Sequence, residues 1–122
     1  MEPQTIARAI AVGRVAIGAA LVVVPGRVGA GWIGDVSERP GTQVALAAVG
    51  ARDVALGAGT ALAAGGKGGA KAWLLASAGS DLVDFLATLR HREALSPAAV
   101  IGVGALAGGS AAAGLWLASR LG

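Results

Sequence analysis

Four long apolar runs occupy most of this chain of 122 residues and restrict its possible folds more than any other feature. They cover residues 6–24, 44–64, 72–89 and 97–119, and each run is 18 to 23 residues long. About 20 helical residues cross the hydrocarbon core of a bilayer. The sequence therefore predicts an all-α protein, a single domain over residues 1–122 that folds as a bundle of four transmembrane helices.

Short segments rich in proline, glycine or charge separate these runs. Pro25 ends the first run, the glycine-rich segment 65–69 ends the second, and the basic segment 90–92 ends the third. We expect residues 25–41 to form the longest loop. Trp32 falls in this loop, and we expect it near the lipid headgroups, where indole rings are stabilised.

A small soluble bundle rich in alanine and glycine is the alternative to a membrane protein. The chain is 55% apolar and 14% charged, whereas soluble domains carry about 25% charged residues. A soluble helix also needs a polar face wide enough to meet water, and the run 97–119 contains no charged residue. These features favour an integral membrane protein.

Several classes of site are excluded by the residue types that the chain lacks. It has no Cys and one His, which is too few for a metal-ligand set or an axial haem ligand within the runs. Its glycines do not match a dinucleotide-binding or phosphate-binding motif, so we predict no metal and no cofactor. The net charge is +3, but the basic residues are scattered without interleaved aromatic residues, so nucleic acid is not an expected partner.

Five charged residues lie deep inside the apolar runs, away from their ends, namely Arg14, Arg52, Asp53, Asp81 and Asp84. At a rise of 1.5 Å per residue, they fall near the middle of three runs. A lone charge at the bilayer centre costs about 3 kcal/mol or more, so we expect these side chains to face inward and pair with one another. Two arginines and three aspartates leave a net charge of −1, so at least one carboxylate lacks a full counter-ion.

Helical spacing places these charges on stripes of small or polar residues. The three stripes are Ala7, Ala11, Arg14 and Gly18; Leu46, Gly50, Asp53, Gly57 and Thr60; and Ser77, Asp81, Asp84 and Thr88. Small residues let helices approach closely, so we expect the charged groups to meet. Ion pairs that only hold the helices in register are the structural alternative to a functional site.

The predicted functional site consists of these midplane residues and their neighbours on the same stripes. The candidate acid–base or proton-relay groups are the carboxylates of Asp53, Asp81 and Asp84. The candidate ligand-binding residues are Arg14, Arg52, Ser77 and Thr88. In this interpretation the two arginines set the ionisation of the carboxylates or bind an anionic group.

Three functions fit such a site, and the residues alone do not decide whether the protein is an enzyme. The first is binding of a lipophilic small molecule, with acid–base chemistry such as isomerisation, cyclisation or hydration as its fullest form; it predicts a pocket that touches Asp81 and opens to lipid. The second is a proton-coupled small transporter. The third is a structural or accessory membrane subunit without a ligand pocket.

Two short motifs carry a resemblance to a known group of proteins. The Gly-Ala-Arg-Asp motif at 50–53, followed by the Asp-x-x-Asp motif at 81–84, resembles a family of small bacterial membrane proteins with four spans. The Gly-Arg pair at 13–14 and the stop at Pro25 fit the same likeness, which covers most of the first three runs and little of the fourth. The resemblance implies a four-span membrane protein and gives no indication of its activity.

Location and partners follow from the same features. The high content of Ala, Gly, Val and Arg is typical of a GC-rich genome such as an actinobacterial one, and we expect the protein in the bacterial inner (plasma) membrane. Membrane lipid and a lipophilic small molecule are the expected partners. Four thin helices enclose little volume, so we also expect a homo-oligomer.

Overall fold

A computed structural model describes residues 1–66 and 68–122, so Lys67 of the predicted glycine-rich segment lies outside the described residues. Within these ranges the chain forms five α-helices and two short 3₁₀ helices (Gly34–Glu38 and Arg92–Ala94), and no strand. The α-helices are α1 (Pro3–Val23), α2 (Pro25–Ile33), α3 (Pro40–Ala64), α4 (Ala70–Arg90) and α5 (Pro97–Arg120). The all-α prediction is confirmed.

Four of these helices, α1, α3, α4 and α5, are long and apolar enough to cross a membrane. The predicted bundle of four spanning helices is therefore confirmed, and the chain has the architecture of a membrane protein. Large apolar side chains cover its outer surface; Val83 is 62% exposed and Ile101 is 72% exposed. Such side chains can lie against lipid tails without cost, because lipid tails are as apolar as the side chains themselves.

Each proline of the chain is the first residue of an α-helix. Proline suits this position because its missing N–H is one that the first helical turn leaves unpaired. Pro25 was expected only to end the first run, but it also begins α2. The predicted loop at 25–41 therefore contains a nine-residue helix followed by a 3₁₀ helix, in which the buried Ser37 hydroxyl donates a 2.8 Å hydrogen bond to the carbonyl oxygen of Gly26.

The bundle consists of two antiparallel helix pairs, α1 with α3 and α4 with α5. In the first pair, a Cβ built on Gly57 would lie 2.7 Å from the carbonyl oxygen of Ala11, so the two backbones touch. In the second pair, a Cβ built on Gly114 would lie 3.2 Å from the Cβ of Ala78. Small residues therefore set the close packing within each pair.

The end of the bundle away from α2 is closed by a small apolar core, which we call the closed end. Its buried members come from all four long helices and are Ala7, Ala64, Ala70, Leu74, Leu117 and Ala118. Leu117 is fully buried at its centre. The other half of the bundle, between mid-depth and α2, holds the charged residues and an open space.

Candidate functional site

Arg14 joins three of the four long helices at mid-depth. Its Nη1 donates a 3.3 Å hydrogen bond to Oδ1 of Asp53 on α3, and its Nη2 donates a hydrogen bond to Oδ2 of Asp81 on α4. The side chains of Arg14, Asp53 and Asp81 are all nearly buried, with 9–12% exposed. Pairing compensates these charges, which would be strongly destabilising if buried singly in a low-dielectric interior.

Arg52 makes the second half of the network. Its Nη2 and Nη1 donate to the two carboxylate oxygens of Asp84 over 2.7 and 3.2 Å. Its Nε and Nη2 also donate to Oδ1 of Asp53 over 3.3 and 3.2 Å. The fork of a guanidinium matches a carboxylate in this way, which a lysine ammonium cannot reproduce.

The five side chains form one alternating line, which we call the midplane cluster, in the order Asp81, Arg14, Asp53, Arg52 and Asp84. Asp53 stands at its centre and contacts both arginines. Both arginines belong to the α1–α3 pair, whereas Asp81 and Asp84 belong to the α4–α5 pair, so two ion pairs of the line cross between the helix pairs. Arg14, Asp53 and Asp81 each lie one residue past the middle of their helices, which gives the cluster its common depth.

Two carboxylate oxygens of the midplane cluster stay without a partner among the described residues. All hydrogen bonds to Asp53 end on Oδ1, and the one to Asp81 ends on Oδ2. Asp53 Oδ2 and Asp81 Oδ1 therefore keep their lone pairs available. The described residues offer no group of three or more His, Cys, Asp or Glu that could hold a metal ion.

A cavity of about 450 Å³ lies beside the midplane cluster and reaches from mid-depth to α2. All four long helices and α2 contribute to its wall. The lining residues are Ile10, Gly13, Arg14, Ile17, Leu21, Val28, Gly29, Gly31, Trp32, Val49, Asp53, Asp81, Asp84, Val103, Leu106, Ala107 and Ser110. The wall is thus mainly aliphatic, with the charged groups on one side.

The exposed residues of its wall indicate that the cavity opens sideways between α1 and α5. The exposed large side chains of its wall are Ile10 and Ile17 on α1 and Leu106 on α5, with exposed fractions of 38%, 45% and 58%. These residues lie near the middle of their helices, at the depth that lipid tails occupy around a spanning bundle. The closed end blocks the cavity on one side, and α2 covers it on the other.

The cover helix α2 is fastened to α4 by a hydrogen bond that the sequence did not predict. The indole Nε1 of Trp32 donates to the Thr88 hydroxyl over 3.1 Å. That hydroxyl donates in turn to the carbonyl oxygen of Asp84, one helical turn earlier, over 2.7 Å. Trp32 lines the cavity, and its hydrogen bond links the cover helix α2 to α4, the helix that carries Asp81 and Asp84.

Ser77 lies beside a second, much smaller cavity of about 20 Å³ on the other side of Asp81. Its hydroxyl oxygen is buried and has no hydrogen-bond partner among the described residues. Thr60 and Ser110 also line this space, together with Arg14 and Asp81. A polar space of this size holds about one water molecule, and such a water would satisfy the Ser77 hydroxyl.

The structure thus brings the predicted site residues together in different ways. Four of them line the large cavity, namely Arg14, Asp53, Asp81 and Asp84. Arg52 lies outside the wall of this cavity and is paired with Asp53 and Asp84. Ser77 lines the small cavity, and Thr88 binds Trp32 of α2. Their assignment as catalytic or ligand-binding residues stays a prediction. The residue that sequence reasoning missed is Trp32, and Pro25 at the start of α2 was the signal that a helix carries it.

Comparison with known proteins identifies no relative. No family model matches the chain. No curated protein and no solved structure matches it either.

Proposed function

We propose that the protein binds a lipophilic small molecule, which enters the cavity from the lipid and places its polar group against the midplane cluster. The single observation that carries this proposal is the cavity of about 450 Å³ that opens between α1 and α5 and has three carboxylates on its wall. Small-molecule sites typically measure about 300–1,000 Å³ and combine apolar walls with a few convergent polar groups.

The ion pairs alone do not require such a space. Charges that only hold helices in register are best served by close packing around them, because empty volume forfeits dispersion contacts. Here the closed end is tightly packed, whereas the half of the bundle beside the cluster is open. This contrast favours a ligand site over a purely structural subunit.

Acid–base chemistry on the bound molecule is the fuller form of the proposal. Asp53 Oδ2 and Asp81 Oδ1 are the unpartnered carboxylate oxygens on residues of the cavity wall. A general acid or base must lie within hydrogen-bond reach of the proton that it moves, so these two atoms are the candidates to exchange a proton with a molecule seated against the cluster. We propose the inner membrane of a bacterium as the location.

A proton-coupled carrier is the second candidate, and one observation favours it. The two helix pairs are joined across their interface by the ion pairs of Arg14 with Asp81 and of Arg52 with Asp84. A proton or a ligand that weakens these pairs would loosen one helix pair from the other. Relative movement of two bundles around a central site is how many carriers expose that site to each side in turn.

Photolabelling tests the binding proposal. The protein is placed in phosphatidylcholine nanodiscs with an octanol that carries a diazirine, irradiated, digested and analysed by mass spectrometry. We expect the label to concentrate on cavity residues at mid-depth, such as Ile17 and Leu106, above the exposed lipid-facing residues Val83 and Ile101. Equal labelling of all four residues would contradict the proposal.

A pair of glycine substitutions supplies the matched control. Gly13 lines the cavity, and a Cβ built there meets no atom within 4 Å, so Gly13→Leu fits the backbone and fills space at the mouth. Gly79 on α4 is also exposed, and a Cβ built there also meets no atom within 4 Å, but Gly79 lies outside the cavity wall. We expect Gly13→Leu to remove the labelling of Leu106 and Gly79→Leu to leave it unchanged.

A further inference from the structure

We infer that the ligand of the cavity is a lipophilic amine in its protonated form, bound with its ammonium group against Asp53 and Asp81. This inference rests on the proposed function, because it names the chemical class of the molecule that the cavity takes. It follows from the charge of the cavity wall, from the atoms that are free to bind there and from the charge balance of the midplane cluster.

The charges on the cavity wall are mainly negative. Three carboxylates and one guanidinium line the cavity, while α2 and α5 contribute no charged residue to it. The second arginine of the cluster, Arg52, stands behind Asp53 and Asp84 and is not part of the wall. A bound molecule therefore meets more negative than positive charge, which favours a cation.

Both arginines are already paired with carboxylates. Arg14 donates to Asp53 and Asp81 through its two terminal nitrogens, and Arg52 uses all three of its guanidinium nitrogens on Asp53 and Asp84. Arg14 keeps N–H donors, including its Nε–H, that bond none of the described residues, but an anion bound to them would lie beside the carboxylates that already balance the charge of Arg14. The expectation that the arginines bind an anionic group is therefore not favoured by this geometry.

Two acceptor atoms of the midplane cluster are free to bind a cation. Asp53 Oδ2 and Asp81 Oδ1 accept no hydrogen bond from the described residues. Neither oxygen is fully buried, so both are accessible to a bound molecule. An ammonium group has up to three N–H donors and a full positive charge. Charge-assisted hydrogen bonds of this kind are about twice as strong as neutral ones.

The charge balance points to a single positive charge. The midplane cluster holds two arginines and three aspartates, all paired with one another, and its formal charge is −1. An uncompensated charge is costly in a low-dielectric interior. One ammonium group brings the site to neutrality, and the aliphatic wall around Ile17, Leu21 and Leu106 suits an alkyl chain.

Four probes with the same eight-carbon chain test the inference. They are octylammonium, octyltrimethylammonium, 1-octanol and octanoate, which separate charge from hydrogen-bond donation. Binding is followed in phosphatidylcholine nanodiscs through the fluorescence of Trp32, which lines the cavity, in a background with Trp73→Phe and Trp116→Phe. Equilibrium dialysis of the same samples gives a second measure that does not depend on the fluorophore.

We expect octylammonium to bind about tenfold or more tightly than 1-octanol, the size of effect that a close buried charge pair commonly has on affinity. Octyltrimethylammonium should lie between them, because it carries the charge without an N–H donor. Octanoate should bind most weakly. All of the binding should be lost in Gly13→Leu and retained in Gly79→Leu.

Two aspartate substitutions that change the charge equally separate the cluster from general electrostatics. Asp84→Asn brings the midplane cluster to neutrality while Arg52 keeps Asp53 as a partner. Asp35→Asn removes the same charge from the exposed 3₁₀ helix after α2. We expect the preference for octylammonium over 1-octanol to fall about tenfold in Asp84→Asn and to stay unchanged in Asp35→Asn.

The possible failures are distinguishable. If 1-octanol or octanoate binds as tightly as octylammonium and is still excluded by Gly13→Leu, the amine inference is wrong and the binding proposal stands. If no probe binds in a manner that Gly13→Leu abolishes, by fluorescence and by dialysis, both are overturned. An equal loss of preference in Asp35→Asn would also overturn the inference, because the effect would not belong to the cluster.

Discussion

Arg52 and Asp84 face each other across the interface between the two helix pairs and are joined by two hydrogen bonds, of 2.7 and 3.2 Å. A planar guanidinium and a carboxylate paired in this way fix both the distance and the rotation between their helices. The other link between the pairs in the midplane cluster is Arg14 with Asp81. The cluster thus acts as a joint between α1–α3 and α4–α5 as well as the polar wall of the cavity.

This joint should be far more sensitive to loss of an arginine than to loss of an aspartate. Arg52→Gln leaves three carboxylates with one arginine, and we expect it to lower the free energy of unfolding by about 3 kcal/mol. Asp84→Asn leaves a neutral cluster in which Arg52 still contacts Asp53, so about 1 kcal/mol is expected. Arg52→Lys should fall between them, because it keeps the charge but loses the fork.

Reversible unfolding of the reconstituted protein, by steric trapping or by titration with SDS, measures these differences. Arg8→Gln is the control, since Arg8 lies on the exposed face of α1. Equal destabilisation by Arg52→Gln and Asp84→Asn would show that the charge balance of the cluster does not govern its stability.

The crossing of α1 and α3 should tolerate no side chain at two opposed glycines. A Cβ built on Gly18 would lie 2.6 Å from the carbonyl oxygen of Gly50, and one built on Gly50 would lie 2.5 Å from that of Gly18. The obstacle is backbone, which cannot rotate away, so we expect Gly18→Ala to cost about 3 kcal/mol. Gly13→Ala on the same helix meets no atom within 4 Å and should be neutral or slightly stabilising.

The same unfolding measurement compares the two alanine variants directly. Because both substitutions add one methyl group to α1, their helix propensities change equally. A difference between them therefore reports the close approach of the backbones, and equal stabilities would mean that the helices are further apart than the structure places them.

The cover of the cavity should loosen when its hydrogen bond to α4 is removed. Thr88→Val deletes the acceptor for the Trp32 indole and should weaken the docking of α2 by about 1 kcal/mol. Quenching of Trp32 fluorescence by acrylamide, measured with Trp73 and Trp116 replaced by Phe, should rise. Thr60→Val is matched, since Thr60 is also buried and also bonds a carbonyl one turn earlier, that of Leu56, without contacting Trp32.

Unchanged quenching in Thr88→Val would mean that the apolar contacts of α2 hold the cover without this bond. Gly29 offers such a contact, because its backbone packs directly against the side chain of Leu46.

The sequence predicted the long helices and the cluster because both depend on helical periodicity. The stripe through Leu46, Gly50, Asp53 and Gly57 reappears in the structure as the buried face of α3. Charges are so costly in lipid that their placement in the middle of three runs predicted their convergence. Which carboxylate pairs with which arginine could not be predicted, because the pairing depends on how far each helix is rotated and shifted.

The short helix α2 escaped prediction for a physical reason. It contains a proline and three glycines in nine residues, a composition with low helix propensity, and it is too short to show a clear period. Its stability comes from tertiary contacts, such as the bond of Trp32 to Thr88. The cavity could not be predicted either, since it is the space that the packing of the four long helices and α2 leaves unfilled.

The closed end and the open half of the bundle should respond differently to truncation of a leucine. Leu117 and Leu106 lie on the same helix, α5, but Leu117 is fully buried at the closed end and Leu106 is 58% exposed at the mouth of the cavity. Lipid tails are as apolar as leucine, so burying a leucine inside a membrane bundle gains little hydrophobic free energy. The cost of truncating it is therefore mainly the lost packing contacts. We expect Leu117→Ala to lower the free energy of unfolding by about 2 kcal/mol and Leu106→Ala to change it by less than about 0.5 kcal/mol. Ligand binding should respond in the opposite order, with Leu106→Ala altering the affinity for octylammonium and Leu117→Ala leaving it unchanged in the folded protein. Unfolding and binding are measured on the same two variants. If each variant changed both the stability and the affinity, the closed end and the cavity would form a single core, contrary to this division.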